Sequence, residues 1–140
     1  MQTNQRAAFK SRFEKGAAVI RATGPVTRDT LRALRAEVFA AVMMNDVDRL
    51  LCDFSGAVLT LSPDEWAAYG RDCASQHAVG VAQGFLVGAE AVEQARSHCD
   101  YLNAHGRVCL AFLTSSSAYR WLGVPALSAR PPQPSEAVQD

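Results

Sequence analysis

One acid interrupts an otherwise apolar run: Leu51-Cys52-Asp53-Phe54 sets a carboxylate among residues that read as a buried strand. In an α/β fold, an acid at a strand end can line a site. It can equally accept hydrogen bonds from backbone amides in the turn that Ser55-Gly56 suggests. Asp53 and its neighbour Cys52 are the two groups on which a small cofactor-free enzyme would depend. Nucleophilic catalysis needs a serine or cysteine beside a base and an orienting acid. The chain has no GxSxG, and Ser62, Ser115 and Ser116 fall where helix caps are expected.

Metal and phosphate chemistry find little support. His77, His98 and His105 form no HExxH and no paired Cys/His pattern. They are expected near helix carboxyl-terminal turns or on helix surfaces, His105 favourably so just before Gly106. Gly80, Gly84 and Gly88 recur every fourth residue, yet no GxGxxG opens a helix, and the only lysines are Lys10 and Lys15, so no Walker loop exists. One anion site stays open, at Gly88-Ala89, where a strand leads into a helix amino end. The four cysteines, Cys52, Cys73, Cys99 and Cys109, include no CxxC pair. They are read as structural, with Cys52 and Cys109 acting as small buried hydrophobes. Neither a cofactor nor a metal is implied.

The elements that would position these groups can be read in order. Residues 8–14 alternate apolar or small with charged side chains, the period of a half-buried strand, and Lys15-Gly16 turns the chain into a partner over 17–22 that Gly24-Pro25 ends. Thr27 or Asp29 caps a helix carrying Leu31, Leu34, Val38, Phe39 and Val42 on one stripe, closed by Asn45 and Asp46. A buried strand over 50–54 follows, then an extended link over 57–61. Ser62-Pro63-Asp64-Glu65 is a complete capping box with proline at the first helical position. The helix it opens carries Trp66, Tyr69, Cys73 and His77 on one side and stops before Gly80. Residues 81–87 and 107–113 read as strands buried on both faces, typical of central parallel strands. Between them, a helix over 89–104 turns Val92, Ala95, Cys99 and Leu102 inward. A last short helix after Ser115-Ser116 holds Tyr119, Trp121 and Leu122. The order β-β-α-β-α-β-α-β-α predicts an α/β domain over 1–123: a small, mostly parallel sheet opened by an antiparallel hairpin and flanked by helices. Residues 124–140, rich in Pro, Ser and Ala, read as a flexible tail.

Composition fits this picture. The chain has 140 residues, 49% hydrophobic and 20% charged, in the range of one globular domain. No apolar stretch approaches the roughly 20 residues that span a bilayer, so membrane insertion is not expected. Met1-Gln2-Thr3-Asn4-Gln5-Arg6 shows no signal-peptide apolar region, so a cytoplasmic location is expected. Net charge is zero but uneven: residues 1–35 hold eight basic residues against Glu14 and Asp29, and the remainder holds six basic against twelve acidic. Nucleic-acid binding is not expected, because strand alternation sets Phe9 and Phe13 on the face opposite Lys10 and Arg12.

The element order, the run Leu50-Leu51-Cys52-Asp53-Phe54 leading into a capped helix, and the ending from Ala111-Phe112 through Ala118 to Trp121-Leu122 resemble the STAS domain family over residues 8–123. That family includes bacterial anti-sigma factor antagonists and uncharacterised SpoIIAA-like relatives. The resemblance implies a fold used for protein contacts, sometimes for small ligands, rather than for catalysis. Anti-sigma antagonists carry an Asp-Ser-Ser/Thr-Gly switch at the start of the helix after the third strand. Here the stretch reads Leu61-Ser62-Pro63-Asp64, with proline where the phosphorylated hydroxyl is expected and no glycine. The usual phosphate switch is therefore not implied, and Ser62 is read first as a cap.

The expected function is a non-enzymatic regulatory or protein-interaction module. Its contact surface would lie around Ser62, Asp64, Trp66 and Tyr69, and the split charge would also allow a homodimer. The alternative is a carrier of a small apolar or amphipathic ligand, held between sheet and helices by Val38, Phe39, Trp66 and Tyr69 with Asp53 nearby.

Overall fold

The computed structural model describes residues 8–14, 16–44, 46–74 and 80–124. In chain order these form β1 (Ala8–Glu14), β2 (Ala17–Val26), α1 (Arg28–Met44), β3 (Arg49–Leu59), α2 (Pro63–Ala74), β4 (Ala82–Leu86), a 3-10 turn (Ala89–Ala91), α3 (Val92–Ala104), β5 (Cys109–Phe112) and α4 (Ser115–Leu122). The strands stand in the order β1-β2-β3-β4-β5. Only β1 runs antiparallel to its neighbour. The architecture is the mixed, mostly parallel sheet that the element order predicts.

This topology decides where the helices go. Each parallel strand is added on the same side as the one before, and parallel crossovers are right-handed, so α1, α2 and α3 must share one face. The core divides accordingly. Ala18, Ile20, Leu50, Cys52 and Phe85 point towards Leu31, Leu34 and Val38 of α1, Tyr69 of α2, and Ala95, Cys99 and Leu102 of α3. The alternate positions Ala17, Val19, Leu51 and Leu86 meet Ala118, Tyr119 and Leu122 of α4 on the other face. Gly84 lies on this second face and must be glycine, because a β-carbon there would stand 2.8 Å from Cζ3 of Trp121.

Several boundaries differ from the sequence expectations, each for a physical reason. Gly24-Pro25 does not end β2, which runs on to Val26. The described pairing with β1 ends at Thr23, so the proline's missing amide removes no bond from that side. The strand over 50–54 and the extended link after it form one strand, β3, with a register shift: Arg21 pairs with Asp53, but Thr23 pairs with Gly56. The extra residue on β3 is a bulge, not a turn. The strand expected over 107–113 is shorter and lies at the sheet edge, leaving Val108, Leu110 and Leu113 exposed. Its apolar run reflects a face that α4 covers only in part. Phe39 leaves the buried stripe of α1 and is 44% exposed.

The caps of the first two helices follow the sequence, whereas α4 begins at Ser115 itself, so Thr114 and not Ser115 or Ser116 is its cap. Thr27 accepts from the Thr30 amide at 3.3 Å at the start of α1. Thr114, just before the expected serines, accepts from the Ser117 amide at 3.3 Å at the start of α4. Gly123 closes α4 in the left-handed region at φ 85°. Among the described residues, no helix is long and apolar enough to cross a membrane. The expectations for Lys15, Asn45, His77 and the tail beyond Val124 fall outside the described residues.

Candidate functional site

Among the described residues, two polar side chains are buried, one on each face of the sheet: Asp53 and His98. Their surroundings are opposites.

Asp53 points to the α4 face at the β3 bulge. Its Oδ1 accepts from the Ser55 amide at 2.9 Å and from the Ser55 hydroxyl at 2.6 Å. Oδ2 accepts from the Tyr119 hydroxyl at 2.7 Å and from Arg21, whose Nη2 lies 3.3 Å away. The bulge takes the Ser55 amide out of regular pairing, and the carboxylate supplies its acceptor. Burial alone would raise this carboxyl's pKa, but the bonds from Ser55 and Tyr119, with Arg21 beside it, outweigh burial and hold it below the usual value. Tyr119 is pushed up to about 12 by burial and by donating to Asp53. Oδ1 of Asp53 thus accepts two bonds and Oδ2 three, counting both Nε and Nη2 of Arg21, and the group ties β2, β3 and α4 together. Cys52, on the opposite face, is fully buried, and burial foremost raises its thiol far above the ordinary range. It is a core residue, not a thiolate nucleophile.

His98 was expected near a helix surface. It is instead 4% exposed, and neither ring nitrogen has a hydrogen-bond partner among the described residues. Its ring stacks on Tyr69 at 5.1 Å, meets the Phe85 ring edge-on at 5.1 Å and lies 5.8 Å from Trp66. Burial lowers its pKa to about 4, so the imidazole is neutral at pH 7. The position was legible in principle. His98 stands three residues after Ala95 and four before Leu102, on the same inward stripe of α3.

Beside His98 a cavity of about 430 Å³ opens between α2 and α3. Pro63, Trp66 and Gly70 line it from α2, and His98 and Tyr101 line it from α3. Arg71 and Glu93 stand at its exposed rim. Of the residues expected to form a ligand pocket, Trp66 lines this cavity. Val38 is buried in the core, Phe39 is exposed, and Asp53 faces the other side of the sheet. Among the described residues, no group of three or more His, Cys, Asp or Glu could hold a metal ion.

The amino end of α2 is the third feature. The capping box forms as its residues predict: the Glu65 amide donates to Ser62 Oγ at 3.1 Å, and the Ser62 amide donates to Glu65 Oε1 at 2.9 Å. Ser62, Pro63 and Asp64 are exposed, whereas Trp66 and Tyr69 turn inward and present almost no surface. The anion cradle considered at Gly88-Ala89 is occupied by the chain itself. A β-carbon on Gly88 would stand 2.6 Å from Glu90 Oε1, so a carboxylate already lies over that turn.

No protein-family model matches the chain, and no curated protein matches it. Solved structures do match. The anti-sigma factor antagonist SpoIIAA in its unphosphorylated form has a TM-score of 0.51 at 14% identity, covering 84% of this chain and 100% of that one. An anti-sigma factor antagonist from Mycobacterium paratuberculosis has a TM-score of 0.57 at 16% identity, covering 89% of this chain and 100% of that one. The fold is SpoIIAA-like. An uncharacterised protein from Shewanella loihica, itself described as having a SpoIIAA-like fold, has a TM-score of 0.57 at 15% identity, covering 87% of this chain and 98% of that one. The STAS resemblance drawn from element order thus holds at the level of fold. In this SpoIIAA-like fold, the exposed segment 62–64 joins β3 to α2.

Proposed function

We propose that this chain is a regulatory protein-interaction module whose contact face is centred on the amino end of α2. The observation that supports this most is the placement of Ser62, Pro63 and Asp64. They are exposed at the junction of β3 and α2 in a fold shared with two anti-sigma factor antagonists. The polar cluster around Asp53 is engaged in holding three elements together. Trp66 and Tyr69, buried beneath this face, support it from below.

The cap gives this face a built-in sensitivity. The Ser62 hydroxyl is engaged with the helix backbone, so adding charge at this residue changes both the surface and the helix start. The test is affinity capture with the full chain, followed by titration calorimetry on the recovered partner. Ser62→Glu and Asp64→Lys are each expected to weaken binding at least tenfold, whereas Arg32→Glu on the exposed face of α1 leaves it intact. Binding that survives both changes at the α2 end removes this surface from the mechanism. Light scattering of the purified chain separately decides whether it self-associates.

A further inference from the structure

The orphaned imidazole and the cavity beside it belong together. Buried polar groups in native proteins are almost always paired, and an exception points to strain, chemistry or a missing partner. His98 is an extreme exception, with both nitrogens unpaired at 4% exposure. The cavity borders the ring. Gly70 packs closely against it, and a β-carbon there would stand 3.3 Å from His98 Nδ1 and 3.4 Å from Tyr101 Cδ2. Because residue 70 is glycine, no α2 side chain intervenes at this point; both nitrogens are nonetheless buried, so a ligand in the cavity reaches them only with a small movement of the ring. The resulting cavity of about 430 Å³ falls within the roughly 300–1,000 Å³ of small-molecule sites.

We propose that this cavity between α2 and α3 binds a neutral, flat, one- or two-ring heteroaromatic molecule that exchanges a hydrogen bond with His98. The walls specify the ring. Trp66 and Tyr101 supply aromatic surface and Pro63 an apolar edge, which suit stacking in the offset or edge-on arrangements that aromatic groups favour. The floor specifies the polarity. A neutral imidazole offers one N–H donor and one acceptor, so a ligand edge with either complement satisfies it. The rim disfavours net charge, because Arg71 and Glu93 carry opposite signs and no cation stands at the floor to receive an anion. An alkyl chain would fill volume but leave both nitrogens unpaired. This inference does not depend on the protein-contact face at the exposed end of α2, which it adjoins only at Pro63.

The probe is benzimidazole, which is neutral at pH 7 and has one donor and one acceptor. Naphthalene is the two-ring comparator with neither, and decanoate is the amphipathic comparator. Binding to the full chain is read by tryptophan fluorescence and by the ring-nitrogen NMR shifts of His98. Benzimidazole is expected to saturate, to move the His98 nitrogen shifts and to bind at least tenfold more tightly than naphthalene. His98→Leu should weaken it tenfold or more while leaving naphthalene within threefold, and Gly70→Ala, which sets a methyl group 3.3 Å from His98 Nδ1, should weaken both ring compounds. The nitrogen shifts decide the matter in the unmutated protein even where a variant does not fold. The proposal is overturned if benzimidazole leaves those shifts unmoved, if naphthalene or decanoate binds as tightly, or if none of the three saturates.

Discussion

Asp53 and His98 are both buried polar side chains, one on each side of the same sheet, yet their surroundings differ completely. Asp53 is held by Ser55, Tyr119 and Arg21 from three elements, whereas His98 is surrounded by aromatic rings and bonded to nothing. A satisfied buried polar group fastens a fold, while an unsatisfied one costs stability until something pairs with it. The contrast separates the part of this molecule built to hold its shape from the part built to receive.

The sharpest break would come at Asp53. Asp53→Ala removes the acceptor of the buried Tyr119 hydroxyl and the ion pair with Arg21, and should cost about 3–5 kcal/mol in urea denaturation. A loss below about 1 kcal/mol would mean that the network does not hold the fold.

Acid titration distinguishes the two sites by pH window. His98 is lowered to about 4 by burial, below an unfolded value of about 6.5. The unfolded chain therefore takes up this proton first, and stability declines as pH falls from about 6.5 to about 4, by on the order of 3 kcal/mol from this residue. Asp53 acts lower. Its folded pKa lies below the unfolded value of about 3.9, so its contribution is full above that value and lost as pH falls through the folded pKa. His98→Leu should flatten the upper window and leave the lower one in place, as read by denaturation from pH 8 to pH 3.

Smaller effects refine the picture. Ser62→Ala removes one cap bond from an exposed helix start and should cost about 1 kcal/mol. His98→Leu at pH 7 removes two unpaired nitrogens, and the unliganded protein should be unchanged or about 1 kcal/mol more stable. A loss above about 1 kcal/mol would show that His98 already has a partner, and the contrast with Asp53 would fall.

The same pair of residues shows what sequence could convey. Element order, the capping box at Ser62 and the inward stripe of α1 over Leu31, Leu34 and Val38 follow from local periodicity and cap chemistry, and these the chain states openly. Asp53 was visible as an acid in an apolar run. Its partners were not, because Tyr119 lies 66 residues away and meets it only through the packing of α4 on β3. His98 was missed for a different reason. Residue type argues for the surface while the spacing from Ala95 and Leu102 argues for the interior, and here spacing prevails. The cavity was not legible at all: it depends on the distance between α2 and α3 and on the single missing β-carbon of Gly70. The edge position of β5 was hidden because Val108 and Leu110 have the apolar character of a central strand.

The strand order also bears on how the chain comes to be folded. Every strand neighbours the one made just before it, so a nascent chain leaving the ribosome can dock each new segment on the edge its predecessor left open. No completed unit has to part again to admit a latecomer. The β1–β2 hairpin closes quickly and the parallel pairings, each across a helix, more slowly, but the growing edge is always the most recent one, which limits the time any sticky strand waits uncovered.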